Sequence, residues 1–203
     1  MRSGRPRAFD RDQALERAIT VFWEHGYEAT SIALLTETLG IGAPSLYAAF
    51  GNKRELFAEA LDRYLRTYGA FAERALAEEP TARDAVERLL SEAASTYTSP
   101  DHPRGCLLIS AATNCSPQSA DVVARLRDIR SQGDRALEAR IAAGVQAGEL
   151  PATTDAHALA TFYAVVIQGM SAQARDGASR TALEQVAATA LRAWPDMLLA
   201  NSR

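Results

Sequence analysis

The chain has 203 residues, of which 47% are hydrophobic and 23% are charged, so it can bury a sizeable core and intrinsic disorder is excluded as its main state. Its formal net charge of −3 excludes a polybasic protein that coats nucleic acid through bulk charge. Two cysteines are too few for a disulfide framework. The sequence shows neither a secretory signal nor an apolar run of the roughly 18 residues that a membrane span needs, and it predicts a cytoplasmic protein without a membrane partner.

Helical periodicity covers nearly the whole chain and strand-like alternation appears nowhere, which predicts an all-α fold. The first helix is expected to stop at Gly26, and a second, capped by Thr30 or Ser31, is expected to end at Gly40. Asn52 is expected to cap a longer helix that joins two domains and acts as a lever between them. These four helices are predicted at about residues 11–25, 32–39, 43–50 and 53–78.

Further helices follow, separated by segments rich in proline and glycine. If residues 105–114 form one helix, Cys106 and Cys115 lie on opposite sides and roughly 13 Å apart along its axis, which is too far for a disulfide. The predicted helical ranges are about 81–98, 105–114, 122–145, 155–175 and 180–199.

Three short helices within the first ~50 residues, the second and third joined by a tight glycine-containing turn, are the layout of a helix-turn-helix. Leu46 and Phe50 are one turn apart and share the inward face of the third helix, which leaves its N-terminal residues outward. A recognition helix offers such residues to base edges, here through the Ser45 hydroxyl and alanine methyl groups, while Tyr47 and Lys53 would contact phosphates. The predicted DNA contacts, which include a basic arm for the minor groove, are Arg5, Arg7, Thr30, Ser31, Ala43, Pro44, Ser45, Tyr47, Ala48 and Lys53.

The same residues allow plainer interpretations. Short amphipathic helices with a Gly-x-Gly turn occur in many helical proteins, so a helical enzyme or a dimeric binding module with no DNA role fits the pattern as well. Tyr47 suits a half-buried core position, and Lys53 suits a solvated helix start.

Three motifs occur together in this region: Gly26-Tyr27-x-x-Thr30-Ser31-Ile32, Leu39-Gly40-Ile41 and Ser45-Leu46-Tyr47-x-x-Phe50-x-Asn52-Lys53-x-x-Leu56. Together they resemble the N-terminal domain of TetR-family transcriptional regulators, over about residues 9–61. The resemblance implies a helix-turn-helix DNA-binding domain at residues 1–54 and a larger helical ligand-binding and dimerisation domain at residues 55–203. It also implies a homodimeric repressor that a small-molecule effector releases from a palindromic operator in double-stranded DNA. Gly42, Ala43 and Ala49 stand where the family often has polar side chains, so fewer polar base contacts are expected.

The last two predicted helices carry apolar stripes that would form a four-helix bundle between two copies. Both stripes could instead pack within one chain, and the resemblance favours the dimer. The predicted dimer residues are Leu159, Tyr163, Val166, Met170, Leu183, Val186, Ala187, Ala190, Leu191 and Trp194.

A small, partly hydrophobic effector would suit an apolar pocket with a few polar groups, between the helices that follow residue 65. Gln168, expected to be buried in an apolar helix, either contacts that effector or makes an inter-helix hydrogen bond at the dimer interface. The sequence contains no cluster of arginines that would indicate a strongly anionic effector. The predicted pocket residues are Phe71, Tyr97, Cys106, Ile109, Ser110, Thr113, Ile129, Phe162 and Gln168.

The sequence contains no Gly-x-Ser-x-Gly elbow, phosphate loop or dinucleotide fingerprint, and its three histidines lie in separate segments. No enzymatic activity, cofactor or metal site is therefore predicted. The favoured function is a ligand-responsive repressor. The alternative is a thiol-based redox sensor, or an activator, on the same scaffold, although buried and inert cysteines are the more common case.

Overall fold

The computed structural model describes residues 9–112 and 115–195, and every regular element in these two ranges is helical. The predicted all-α fold is confirmed. The helices are α1 (Arg11–Ala29), α2 (Ile32–Leu39), α3 (Ala43–Phe50), α4 (Lys53–Arg66), α5 (Ala70–Glu78), α6 (Ala82–Tyr97), α7 (Leu107–Ser110), α8 (Ala120–Gln146), α9 (Ala156–Arg175) and α10 (Arg180–Leu191). A 3₁₀ turn, Pro117–Ser119, precedes α8.

Side-chain caps start the short N-terminal helices where the sequence places them. The Ser31 hydroxyl oxygen accepts a hydrogen bond from the backbone N–H of Leu34 at 3.0 Å. The Asn52 side chain accepts from the backbone N–H groups of Arg54 and Glu55 at 2.9 and 3.1 Å. Because such caps satisfy N–H groups that the helix itself leaves unpaired, they fix the first turn from local sequence alone.

Helices α2 and α3 meet at an angle of 93°. Leu35 of α2 and Leu46 of α3 are fully buried, as are Phe22 of α1 and Leu56 of α4. The apolar contacts of four helices therefore hold α3 across α2 as a helix-turn-helix requires. No single helix in the described ranges has the length and hydropathy of a membrane span, which α2 and α3 reach only when taken together across their bend.

The first helix does not stop at Gly26 as the sequence predicts. Gly26 interrupts the helical geometry with φ 75° and ψ 173°, and the chain then completes one more turn to Ala29. Since an L side chain rarely adopts that φ, glycine permits the kink. The buried Trp23 and Tyr27 lie on either side of it.

The predicted lever helix at 53–78 is wrong, because the chain breaks between α4 and α5. The N–H of Gly69 bonds the carbonyl of Tyr64, and the Thr67 hydroxyl donates to the carbonyl of Arg63 at 2.8 Å. These bonds occupy carbonyls that a continuing helix would use, so α4 ends at Arg66 and α5 starts at Ala70.

Two later helices are shorter than predicted. Within the described part of the predicted helix at 105–114, residues 105–112, only α7 is helical, since Gly105 has φ 80° and the carbonyl of Ala111 turns to accept from the N–H of Tyr27. Helix α10 ends at Leu191, four residues before Pro195, and the N–H groups of residues 192–194 bond carbonyls three residues earlier instead of four. The rest of that predicted helix, residues 196–199, lies outside the described residues.

Helix α6 lies at the centre of the larger part and packs against α5, α8, α9 and α10. Its N-terminus is capped by Thr81, whose hydroxyl oxygen accepts from the N–H of Asp84. Val86 and Leu90 are fully buried on the face that these neighbours cover. The result is one continuous apolar core that reaches from α1 to α10.

Candidate nucleic-acid interface

Helix α3 turns its N-terminal half to solvent. Pro44, Ser45 and Ala48 are exposed, Tyr47 is 48% exposed, and Ala43 is half-buried. Tyr47 belongs to the exposed large hydrophobic side chains and not to the buried core, so about half of its surface can contact a partner. The face that the sequence predicts for base contacts is therefore free in the structure.

The opposite face of α3 is held by apolar and ionic contacts. Leu46 and Phe50 are buried, and the guanidinium of Arg11 lies 4.5 Å from the centre of the Phe50 ring. The same guanidinium bonds both carboxylate oxygens of Glu59, at 2.6 and 2.7 Å, and the carbonyl of Ala49. Arg11 thus ties the C-terminal end of α3 to α1 and α4.

Lys53 lies beside the recognition face on the first turn of α4. Its Nζ is 4.3 Å from the centre of the Tyr27 ring and donates to the carbonyl of Glu28 at 3.3 Å. Burial lowers the pKa of the Lys53 ammonium, and the Glu28 charge opposes that shift. Lys53 is the only lysine in the sequence, and it is partly buried instead of the solvated helix-start residue that the plainer interpretation expected.

The two residues before α2 have different positions, and one of the two predictions is wrong. Ser31 is exposed and caps α2. Thr30 is fully buried, and its hydroxyl donates to the carbonyl of Gly26 at 2.6 Å. That bond satisfies the carbonyl at the kink of α1, so the Thr30 hydroxyl is occupied and does not face a phosphate.

The predicted minor-groove contacts Arg5 and Arg7 lie outside the described residues, as does Thr113 of the predicted pocket.

A polar junction connects this N-terminal part to the start of α8. The Ser119 hydroxyl donates to the Glu28 carboxylate at 2.7 Å, and hydrogen bonds from Ser116 and Ser119 lower the pKa of that carboxyl. Arg54 lies 3.3 Å from Asp121 and also donates a hydrogen bond to the carbonyl of Gln118. Short polar contacts therefore connect the start of α8 to the end of α1 and to the first turn of α4.

The residues predicted to line an effector pocket do not gather in one place. Phe71, Tyr97 and Cys106 are buried together with Tyr64, whose hydroxyl donates to the Cys106 sulfur at 3.4 Å. Ser110 is buried and donates to the carbonyl of Trp23, while Ile109 and Ile129 are half-buried. Phe162 and Gln168 are exposed on α9, away from that group.

Gln168 therefore needs a correction: its amide is not buried within one chain, because α9 turns that side outward. The contact between Tyr64 and Cys106 could not be predicted from the sequence, because Tyr64 belongs to an apolar stripe that does not indicate what its hydroxyl bonds. Burial raises the pKa of the Cys106 thiol and, with the Glu28 charge, that of the Cys115 thiol.

Most of the predicted dimer residues are packed inside the chain, which corrects that assignment. The Tyr163 hydroxyl donates to the carbonyl of Ala190, and its ring lies 5.9 Å from that of Trp194. Leu159, Val166 and Leu191 are half-buried, and Val186 is 42% exposed. The buried members are Tyr163, Met170, Leu183, Ala187, Ala190 and Trp194.

An outward apolar face nevertheless exists on α9 and α10. Phe162 is 40% exposed and Val165 is 63% exposed, and Gly169 continues the same side of α9 one turn later. Val186 is the matching apolar residue on α10. Val165 was not among the predicted dimer residues, although its spacing from Phe162 and Gly169 follows the helical period.

A surface pocket that sequence reasoning did not find lies between α1, the chain before α7 and the end of α9. It has a volume of about 520 Å³, and its lining includes His102, Arg104 and Arg175. Arg104 and Arg175 are far apart in the sequence, and no local pattern brings them together. A second pocket of about 490 Å³ borders Phe162 and Pro195.

Known proteins resemble the chain along most of its length. Residues 14–60 match the family described as bacterial regulatory proteins, tetR family, and residues 80–190 match the tetracyclin repressor-like C-terminal domain. The HTH-type transcriptional repressor ComR of Escherichia coli (strain K12) is 43% identical over 196 residues, which are 96% of this chain and 93% of that protein. The repressor BdcR of the same organism is 35% identical over 94% of this chain and 90% of that protein. Among solved structures, a cysteine mutant of the TetR family transcriptional regulator CifR, complexed with a 26-base-pair double-strand operator DNA, has 48% identity and a TM-score of 0.90, covering 95% of this chain and 100% of that one.

Proposed function

The chain belongs to the TetR family of transcriptional regulators, and from this premise we propose that it is a repressor that binds a palindromic operator as a homodimer and leaves it when a small molecule binds. The observation that carries the proposal is the exposed N-terminal half of α3, held at 93° to α2 by a buried apolar face. The proposal makes the protein a regulator rather than an enzyme, and it places the protein in the cytoplasm with its DNA.

The exposed residues of α3 support contact with the major groove. An α-helix fits that groove, and its N-terminal side chains reach the base edges. Ser45 is the polar side chain on the exposed part of α3 that can hydrogen-bond a base, whereas Pro44 and Ala48 offer apolar contact to thymine methyl groups. We assign Tyr47, Ser31 and Lys53 to phosphates, which fix the orientation of the helix without reading sequence.

The outward face of α9 and α10 supports dimerisation. Phe162, Val165 and Val186 expose large apolar side chains on adjacent helices, which a second copy would remove from water. A two-fold dimer repeats the recognition helix, so its operator has two half-sites about one helical turn apart. Gln168 on the same face would then hydrogen-bond across the interface, which is the dimer role that the sequence left open beside an effector contact.

Release by a small molecule is favoured over thiol chemistry. A redox sensor reacts through its thiolate, and the pKa of both cysteine thiols is raised by burial, which lowers the thiolate fraction. Ligand release instead requires a molecule that binds the DNA-free conformation better than the DNA-bound one.

Selection of bound duplexes from a random pool by the purified protein tests the proposal. We expect enrichment of a palindrome whose affinity falls steeply as the salt concentration rises. The Ser45→Ala protein provides the comparison, with Ser91→Ala on the exposed side of α6 as the matched control. Absence of any enriched duplex with wild-type protein, at low salt and in the absence of effector, would contradict the proposed function.

A further inference from the structure

The pocket of about 520 Å³ lies at a corner where three parts of the chain meet. Thr20 and Glu24 of α1 form one wall, the segment 100–104 forms another, and Arg175 from the end of α9 closes the third. This corner joins the helix that supports the helix-turn-helix to the helix that carries the outward apolar face. A molecule held here would contact both.

Two guanidinium groups border the pocket. Arg175 donates through Nη1 to the carbonyl of Trp23 at 3.1 Å and through Nη2 to that of Glu24 at 3.4 Å. Arg104 donates through Nε to the carbonyl of Ala174 at 2.7 Å and through Nη2 to the carbonyl of Ala178. Since a guanidinium has five N–H donors, each arginine keeps donors that these bonds do not use. A carboxylate is the anion whose geometry matches such donors in pairs.

The wall formed by residues 100–104 offers flat ring surfaces between its charged side chains. The His102 ring lies parallel to the buried Trp23 indole, at 4.6 Å between centres and 18° between planes, and Pro100 and Pro103 flank it. Trp23 itself is fully buried beneath His102, and its Nε1–H has no hydrogen-bond acceptor among the described residues. Such a wall favours a planar apolar body on the ligand.

The acidic groups of the pocket limit the charge of the ligand. Glu24 and Asp101 lie on the lining, so a multiply charged anion would meet repulsion as well as attraction. A single carboxylate can pair with the arginines without placing further negative charge beside these two side chains. The lining therefore discriminates between a monocarboxylate and a polyanion.

We propose that this pocket binds a small monocarboxylate with a flat apolar body and that the bound carboxylate weakens the hold of α9 on α1. The regulatory half of this inference rests on the proposed function, whereas the binding half does not. The site could not be predicted from the sequence, because its two arginines are far apart along the chain and come together only in the fold.

The link to DNA binding follows from which carbonyls Arg175 engages. Those of Trp23 and Glu24 both precede the break at Gly26. The N–H of Tyr27, which a regular helix would donate to the carbonyl of Trp23, bonds the carbonyl of Ala111 instead, and Arg175 together with Ser110 supplies the missing bond. A carboxylate paired with the remaining donors of Arg175 would draw the guanidinium toward the pocket, at the expense of its bonds to these carbonyls. Its binding would free the end of α1 from α9 and change how the two recognition helices of a dimer are spaced.

Tryptophan fluorescence measures binding directly on the full chain. The sequence has two tryptophans, and Trp194→Phe leaves Trp23, which stacks beneath the pocket, as the single reporter. Titration with benzoate, phenylacetate and hexanoate is compared with benzamide, which has no charge, and with citrate, which has several. We expect saturable changes with benzoate and phenylacetate, weaker binding of hexanoate, and no saturation with benzamide or citrate.

Substitutions then locate the site. Arg175→Gln should weaken benzoate binding at least tenfold, and Arg104→Gln should weaken it less. Arg175→Lys keeps the charge but loses the paired donors, so its benzoate affinity should lie between those of the wild-type and Arg175→Gln proteins. It also tests the site if the glutamine variant does not fold. Arg127→Gln, on the exposed side of α8, is the matched control and should bind as wild-type. Absence of saturation by all three carboxylates, or unchanged affinity in the folded variants at both arginines, would overturn the site.

The regulatory half is tested with the selected operator duplex. Saturating benzoate should weaken operator binding about tenfold, and saturating operator should weaken benzoate binding by the same factor, since the coupling free energy is reciprocal. Benzoate binding with unchanged operator affinity would overturn the regulatory half alone. Benzoate binding without any enriched duplex would count against the proposed function and support the pocket. Operator binding without benzoate binding would support the proposed function and overturn the pocket.

Discussion

At the scale of single residues, the exposed end of α3 separates side chains that read bases from those that hold phosphates. Ser45 lies on the exposed N-terminal half, whereas Tyr47 is half-exposed and Lys53 is anchored over the Tyr27 ring. Anchoring restricts the position of the ammonium before DNA arrives, so less conformational entropy is lost on binding. The chain carries few polar groups on α3, and correct orientation by phosphate contacts therefore matters more.

We predict that Lys53→Ala weakens binding about tenfold on every duplex and reduces the salt slope by about one, since it removes one phosphate contact. Tyr47→Ala should act in the same direction, whereas Ser45→Ala should alter which base is preferred at one position of each half-site. Gel-shift titrations at several salt concentrations measure these effects, with Arg127→Ala as the control. Because Lys53 is the only lysine, its acetylation rate with and without operator is an independent readout. Equal rates would remove Lys53 from the interface.

A second residue-scale prediction concerns Gly105, which sets the chain before α7 against α9. Its φ is 80°, and a Cβ there would lie 2.9 Å from the Ser171 carbonyl oxygen and from Cγ of Arg175. Gly105→Ala should lower the free energy of unfolding by about 2–5 kcal/mol, from backbone strain together with overpacking. Gly148→Ala is the matched control, since Gly148 has φ 77° and, apart from its chain neighbours, no described residue has an atom within 4 Å of the added Cβ. Urea unfolding compares the two, and equal losses would show that the contact with α9 contributes nothing.

At the scale of elements, the helix starts and the anchors of the helix-turn-helix could be predicted because they depend on nearby residues. Ser31 and Asn52 cap within three residues of their own positions, and the inward positions of Leu46 and Phe50 follow from helical spacing. The breaks could not be predicted in the same way. The carbonyl of Ala111 turns toward Tyr27, far earlier in the chain, and this bond helps to end the predicted helix at 105–114.

The candidate site shows the same division. Burial of Thr30 depends on the kink at Gly26, which the sequence treated as a helix end, so the hydroxyl that bonds the kink carbonyl was assigned to DNA. The predicted dimer stripe includes Tyr163 and Trp194, which are buried within the chain, because α9 and α10 each have two apolar faces. Periodicity identifies apolar faces and does not say which partner covers each one.

The junction between Glu28 and the start of α8 gives a prediction with a defined pH dependence. Hydrogen bonds from Ser116 and Ser119 lower the Glu28 pKa below its ordinary value of about 4.5. A depressed pKa contributes stability above that ordinary value, and the contribution is lost as the pH falls through the folded-state pKa. We expect the wild-type protein to melt higher than Glu28→Gln at neutral pH, with the difference narrowing on acidification.

Thermal unfolding of both proteins from about pH 7 to pH 3 measures that narrowing. Ser119→Ala removes one of the donors and should reproduce part of the effect, and the double variant should show no more than Glu28→Gln alone. Parallel melting curves at all pH values would show that the junction does not depend on the Glu28 charge.

At the scale of the whole molecule, the outward face of α9 and α10 decides whether two recognition helices act together. Val165 is the most exposed of its large apolar side chains, and it lies between Phe162 and Gly169 on one side of α9. Val165→Glu would place a charge where the second copy packs, and burying an unpaired carboxylate is costly. Since Val165 does not enter the core of one chain, the substitution should leave the fold of the protomer intact.

We expect Val165→Glu to halve the mass in solution and to reduce operator affinity more than a hundredfold, because a monomer contacts one half-site where the dimer contacts two. Ala136→Glu on the exposed side of α8 is the control and should remain dimeric. Light scattering measures the mass, and circular dichroism checks that both variants are helical. A dimeric Val165→Glu protein with unchanged operator affinity would place the interface elsewhere. A folded monomer that still binds benzoate would show that the pocket at the end of α1 is complete in one chain, because that pocket draws its lining from α1, the segment before α7 and α9 of a single copy.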